Sequence, residues 1–211
     1  EECAIIGYYS INGEQSLIKN SINSLEELQH RGRESSGISF RNDKNEWSLF
    51  KGNGLVKDIF KKYENLECIR SVIGHNRYST SGKKQTIDID SDDVVCSNQI
   101  QPFYSAKYNF SMVHNGNIQK ISYDQNDSKY LFNFIEDYID KGFNMKFALT
   151  KLLQSIKGIY NLIIQNEDGL FILRDRFGVR PFFYGHFDIN TIICGSETCG
   201  FGKNTTNIKE V

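Results

Sequence analysis

Short runs of β-type residues dominate both ends of this chain, and that spacing limits its folds more than any other feature. The runs are CAIIGYY (3–9), GISFRN (37–42), WSLFKG (47–52), IRSVIGHNRYS (69–79), NFSMVHN (109–115), IYNLIIQ (159–165), GLFILRD (169–175), FFYGHF (182–187) and TIICGS (191–196). Two helical patterns interrupt them. SLIKNSINSLEELQHR (16–31) carries apolar residues at 17, 18, 22, 25 and 28. SKYLFNFIEDYIDKG (128–142) with MKFALTKLLQSIKG (145–158) carries a similar stripe. Tight polar turns such as QNEDG (165–169) join several runs, which argues for antiparallel hairpins. One-faced helices bracketed by strands predict an α+β architecture of two sheets with helices on their outer faces.

With 211 residues and 39% hydrophobic content, the chain can fill one core, and a single domain over 1–211 is expected. Twenty-five basic against 26 acidic residues, concentrated in neither half, leave no footprint for nucleic acid or an anionic membrane. No apolar run approaches the roughly 20 residues that span a bilayer, and the start EECAIIGYYS has no basic n-region, so a soluble protein is expected. The five cysteines form no C-x-x-C pair and have no histidine at metal-ligand spacing, so no metal is expected. Their odd number fits reduced thiols in a cytoplasmic setting. Cys68, Cys96, Cys194 and Cys199 read as small buried hydrophobes. The polar segment KKQTIDIDSDD (83–93) reads as a surface loop, and Pro102 and Pro181 as starts of edge strands.

Polar clusters at strand ends or loops remain: Cys3, HRGRESSG (30–37), GHNRYSTSG (74–82), HNGN (114–117) and NDSKYLF (126–132). Singly, each has an ordinary reading. Asn-Gly makes hairpin turns, Asp127 can cap a helix, and Arg77 can sit in a salt bridge. Together they suit one reaction. Arg77 can fork a carboxylate, Asp127 can hold an ammonium, Asn115 beside Gly116 offers two donors to an oxyanion, and Cys3 supplies a thiol nucleophile. Cleaving the side-chain amide of a free α-amino acid requires those parts, which implies glutamine or asparagine as substrate.

CAIIGYY, LQHRGRESSGI, GHNRYSTSG, NQIQPF, MVHNGNI, NDSKYLF, RDRFGVRPFFYG and GSETCGF occur in the order seen in class II glutamine amidotransferases. The chain resembles the glutaminase domain of the amidophosphoribosyltransferase branch along nearly its whole length. RDRFGVRP also resembles the asparagine synthetase branch. The resemblance implies an N-terminal nucleophile hydrolase fold, a four-layer α/β/β/α sandwich of two antiparallel sheets. It matches Cys3 to the nucleophile, Arg77 to the group holding the glutamine α-carboxylate, and Thr80 to a neighbour that hydrogen-bonds substrate. Asn115 and Gly116 match the oxyanion hole, Asp127 the ammonium site, and Arg31 with Gly32 a loop bordering the pocket.

In that chemistry the α-amine of the nucleophile relays the thiol proton, and no cofactor is needed. The expected partners are L-glutamine and an ammonia-acceptor domain or subunit, phosphoribosyltransferase-like, which the chain does not contain. The sequence leaves the oligomeric state open, a homo-oligomer included. Two departures stand out. Glu1 and Glu2 precede Cys3, so its amine is free only if they are removed, and Ala4 stands where the family usually has Gly. A silent glutamine-binding module is the alternative if they stay. RDRFGVRPFFYG reads as a turn tied by ion pairs or as an interface toward an acceptor, and SETCGF as a strand end feeding a short helix.

Overall fold

A computed structural model describes residues 3–61, 68–78, 100–119 and 126–211. The order is β1 (Ala4–Glu14), α1 (Leu17–Glu27), a 3₁₀ turn (Gln29–Arg31), β2 (Ser35–Asn42), β3 (Trp47–Asn53), α2 (Val56–Ile59), β4 (Ile69–Arg77), β5 (Phe103–Ser105) and β6 (Phe110–Ile118). There follow α3 (Asp127–Asp140), α4 (Met145–Ser155), β7 (Gly158–Asn166), β8 (Gly169–Arg174), β9 (Phe183–His186), β10 (Thr191–Gly195), a second 3₁₀ turn (Thr198–Phe201) and β11 (Thr206–Glu210). The larger sheet runs β11-β9-β10-β1-β4-β2-β3 and the smaller β5-β6-β7-β8, all pairs antiparallel.

Side-chain alternation along the strands sorts residues into layers. Ala4, Ile6 and Tyr8 of β1 and Val72 of β4 pack with Leu17, Ile18 and Leu25 of α1. Met112 of β6 and Leu162 and Ile164 of β7 pack with Leu131, Ile135 and Leu149 of α3 and α4. Ile5, Ile73, Val113, Ile163, Phe182 and Cys194 meet between the sheets. The expected four-layer α/β/β/α order therefore holds.

The helices follow their stripes. α3 buries Ser128, Leu131, Phe132 and Ile135, and α4 buries Met145, Ala148, Leu149 and Leu152, in each case at i, i+3, i+4 and i+7. The α3 cap is Asn126, whose side chain accepts from the Ser128 and Lys129 amides; Asp127 is the first helical residue instead.

Other expectations change. HNGN is no turn, because Asn115 and Gly116 lie inside β6 opposite Asn161 and Tyr160 of β7. Pro102 does precede an edge strand, β5, but β9 after Pro181 is covered by β11. α2 and β11 carry too little apolar periodicity to be expected from sequence. Cys194 is buried as expected, whereas Cys68 is half-buried and Cys199 exposed. Ala4 fits, since it is fully buried in β1 and is not among the residues of positive φ. Cys96 and the segment 83–93 lie outside the described residues. No described helix is long and apolar enough to cross a membrane.

Candidate active site

β1 and β4 are neighbours, with Ala4 opposite Asn76, so Cys3 at the start of β1 faces the end of β4. The Tyr78 amide lies 3.5 Å from Cys3 Sγ, and the thiol lies 3.8 Å from the Tyr78 carbonyl oxygen. Burial pushes the Cys3 thiol above its ordinary value, while the Tyr78 backbone and the charges of Arg77 and Arg180 pull it back in part. As a neutral thiol it needs a base before it can attack.

Arg31 braces the same residue from the other side. Its Nε donates to the Cys3 carbonyl at 3.2 Å, and its NH1 donates to Glu197. His30 Nε2 meets the other Glu197 oxygen at 3.0 Å. Although burial opposes it, hydrogen bonds from Arg31 and His30 hold the Glu197 carboxyl below its usual range. Arg31 thus contacts the backbone of Cys3. At Gly32 a Cβ would stand 2.7 Å from the Arg77 carbonyl, so only glycine lets this loop lie against the end of β4. Cys199 also lies near Glu197, at 3.6 Å. His30, Glu197 and Cys199 thereby gather three metal-ligating atoms within 4.8 Å of one another, a grouping that sequence spacing did not reveal. Arg31 already supplies that carboxylate with a cation.

Asn115 approaches from the other sheet, on the β6 face shared with Val113. Arg180 NH1 donates to Asn115 Oδ1 at 2.9 Å, which fixes the amide so that Nδ2 is the donor end. Nδ2 reaches Ser196 Oγ at 3.5 Å, the outer limit of a hydrogen bond. Ser196 Oγ also accepts the Ile5 amide at 3.1 Å, so one hydroxyl links Asn115 to the strand that carries Cys3. A Cβ on Gly116 would lie 2.4 Å from the Ile159 carbonyl oxygen, which explains glycine there.

Arg77 ends β4, with Glu34 3.8 Å from its Nε. Asp127 Oδ2 accepts the Ile118 amide at 3.0 Å, tying the first turn of α3 to the end of β6. Thr80 lies outside the described residues.

The fold therefore brings Cys3, Arg31, Gly32 and Arg77 together around one end of the β1–β4 pair and joins Asn115 to them through Arg180 and Ser196. Sequence reasoning missed Arg180, Ser196 and Glu197 as parts of this site. RDRFGVRP was noticed, but its turn is tied mainly by Arg174, which donates to the carbonyls of Gly178, Arg180 and Val211 and pairs with Glu210. A groove of about 730 Å³ between α4 and residues Asp175–Val179 reaches Asn117 and Ile118, but neither Cys3 nor Arg77. It belongs to the outer face.

A family model of the glutamine amidotransferase domain matches residues 87–201. The amidophosphoribosyltransferase of Methanothermobacter thermautotrophicus is 29% identical over 95% of this chain and 43% of its own length. Amidophosphoribosyltransferase 3, chloroplastic, of Arabidopsis thaliana is 31% identical over 94% of this chain and 37% of its own. Among solved structures, the glutamine phosphoribosylpyrophosphate amidotransferase of B. subtilis shares the fold with a TM-score of 0.74 at 24% identity, over 99% of this chain and 44% of that one. The chain spans less than half the length of these relatives. Matched by the family model over more than half its residues, the chain belongs to the glutamine amidotransferase domain family.

Proposed function

We propose that this chain hydrolyses L-glutamine to glutamate and ammonia through Cys3, as the ammonia-supplying half of an amidophosphoribosyltransferase-like enzyme. The observation that carries the reading is the Arg180–Asn115–Ser196 chain, which presents an amide donor from one sheet to the strand that follows a half-buried thiol on the other.

Once Glu1 and Glu2 are removed, the freed Cys3 amine, with an intrinsic pKa of about 7.7 to 8.0, takes the thiol proton. The thiolate attacks the carboxamide carbon, and Asn115 Nδ2 with the Gly116 amide receives the developing oxyanion. The amine returns its proton to the leaving nitrogen, and ammonia departs. Water then attacks the γ-glutamyl thioester, releasing glutamate and restoring the thiol. Arg77 holds the α-carboxylate, Asp127 the α-ammonium, and Thr80 hydrogen-bonds substrate, while Arg31 fixes the Cys3 carbonyl. No cofactor takes part in the scheme.

Intact mass spectrometry before and after exposure to a diazo-ketone glutamine analogue tests this reading. The expected result is a chain beginning at Cys3 with one adduct on that residue, blocked by excess glutamine. An uncleaved, unmodified chain that still binds glutamine would instead support the silent module, a reading favoured by the raised thiol pKa when no amine is available. The acceptor is assigned by adding phosphoribosyl pyrophosphate or aspartate with ATP to the full-length protein.

A further inference from the structure

Gln101 has no role in the scheme above, yet its buried side chain touches three separate elements. Oε1 accepts the His114 amide at 2.6 Å, and Nε2 lies 3.2 Å from the His114 carbonyl oxygen. Nε2 also lies 3.0 Å from Ser128 Oγ and 3.3 Å from His75 Nε2. Bonding both backbone groups of one residue settles which end of the amide is which. β5 pairs with β6 only from Phe110 to Met112, so the Gln101 amide occupies the next place along that edge of β6. A side chain here stands in for a strand.

The partners lie beside the candidate substrate groups. His75 is two residues before Arg77 on β4, His114 directly precedes Asn115 on β6, and Ser128 directly follows Asp127 on α3. Ser128 Oγ, accepting from Gln101, also meets His114 Nδ1 at 2.8 Å, which closes the network on itself. Both histidines are buried, and that burial keeps them uncharged, so neutral hydrogen bonds hold the network.

We infer that Gln101 is a positioning residue that sets the carboxylate clamp, the oxyanion donor and the ammonium clamp in one register. The inference rests on the glutaminase reading. It gives Gln101 an effect on glutamine without any contact to it. A misplacement of about 1 Å in such groups costs on the order of 10² in rate.

The test replaces Gln101 with Met, of similar length but without the hydrogen bonds. Four quantities are read: melting temperature, kcat and KM for glutamine, and the rate of Cys3 alkylation by iodoacetamide, which needs only the thiol. The expected result is a folded variant whose alkylation rate stays within about twofold of the parent while kcat/KM falls on the order of 10². A folded variant with parental kcat and KM overturns the inference, as does a loss of kcat/KM that merely tracks alkylation. If Gln101→Met does not fold, Ser128→Ala removes only the two Oγ bonds beside Asp127, to Gln101 and to His114, and an unchanged KM there overturns it. If the parent itself releases no ammonia, the glutaminase reading fails separately. Glutamine titration calorimetry then decides, because the inference requires weaker binding by the variant and unchanged affinity overturns it.

Discussion

The outer faces of the two sheets differ in chemistry from the layer between them. Toward α1, and toward α3 and α4, the sheets bury Leu, Ile, Phe and Met in continuous clusters. Between the sheets the apolar cluster is small, and polar side chains fill the remaining space. Gln165 Nε2 donates to the Ser39 carbonyl and to Ser111 Oγ, each at 2.9 Å, while Asn161 donates to the Pro181 carbonyl at 3.0 Å. His75, Asn115 and Ser196 continue that layer toward Cys3. Apolar burial is non-directional and rewards area, so the outer layers supply stability. Buried hydrogen bonds are directional and costly to leave unmade, so the inner layer fixes register where chemistry needs placed donors.

The comparison can be tested by disturbing each layer. The largest effect is expected from Leu152→Ala in α4, fully buried against the smaller sheet. It should cost about 2 to 5 kcal/mol in urea unfolding and leave KM for glutamine unchanged in the molecules that remain folded. A shifted KM would join the layers that we separate. Asn115→Ala should do the reverse, lowering kcat on the order of 10² to 10³ with a melting temperature near the parent's. An equal loss of stability and rate would place Asn115 in the framework.

The third effect is linked to protons. His75 and His114 are pushed down to about 3 by burial, with neighbouring cationic charge adding to it, against about 6.5 in an unfolded chain. Between those values the unfolded state binds more protons. Stability should therefore be fully present above about pH 6.5 and fall as pH falls, by ~1.4 kcal/mol per pH unit for each histidine. Replacing His114 with Asn should make the slope shallower, and an unaltered slope would show that other groups set the acid limit. The smallest effect concerns Arg180→Met. Losing that positive charge should raise the Cys3 thiol further, so the iodoacetamide rate at pH 8 should drop severalfold and recover as pH rises. A rate unchanged at every pH would remove Arg180 from the electrostatics of Cys3.

Much of this was legible in the chain. CAIIGYY and IYNLIIQ read as strands because their β-branched and aromatic residues suit a pleated, buried surface, and they became β1 and β7. The stripe between 130 and 156 read as helical, and it became α3 and α4. Asn115 and Gly116 were picked out for their chemistry at the end of the run 109–115, with a turn as the ordinary alternative, because Asn-Gly favours turns unless neighbouring strands claim its backbone. Pairing with β7 made that claim. Arg180, Ser196 and Gln101 were invisible because each acts through partners 65, 81 and 13 residues away.

Residue periodicity by itself determined the longer strands and helices and the faces they bury, because hydrophobic burial reads a local pattern. The identities of Cys3, Arg77, Asn115 and Asp127 likewise named the chemistry available. Tertiary structure alone decided that Arg31 braces Cys3, that Arg180 turns the Asn115 amide, and that Gln101 joins β4, β6 and α3. Those relations are hydrogen bonds between distant segments, and their geometry exists only once the two sheets have stacked.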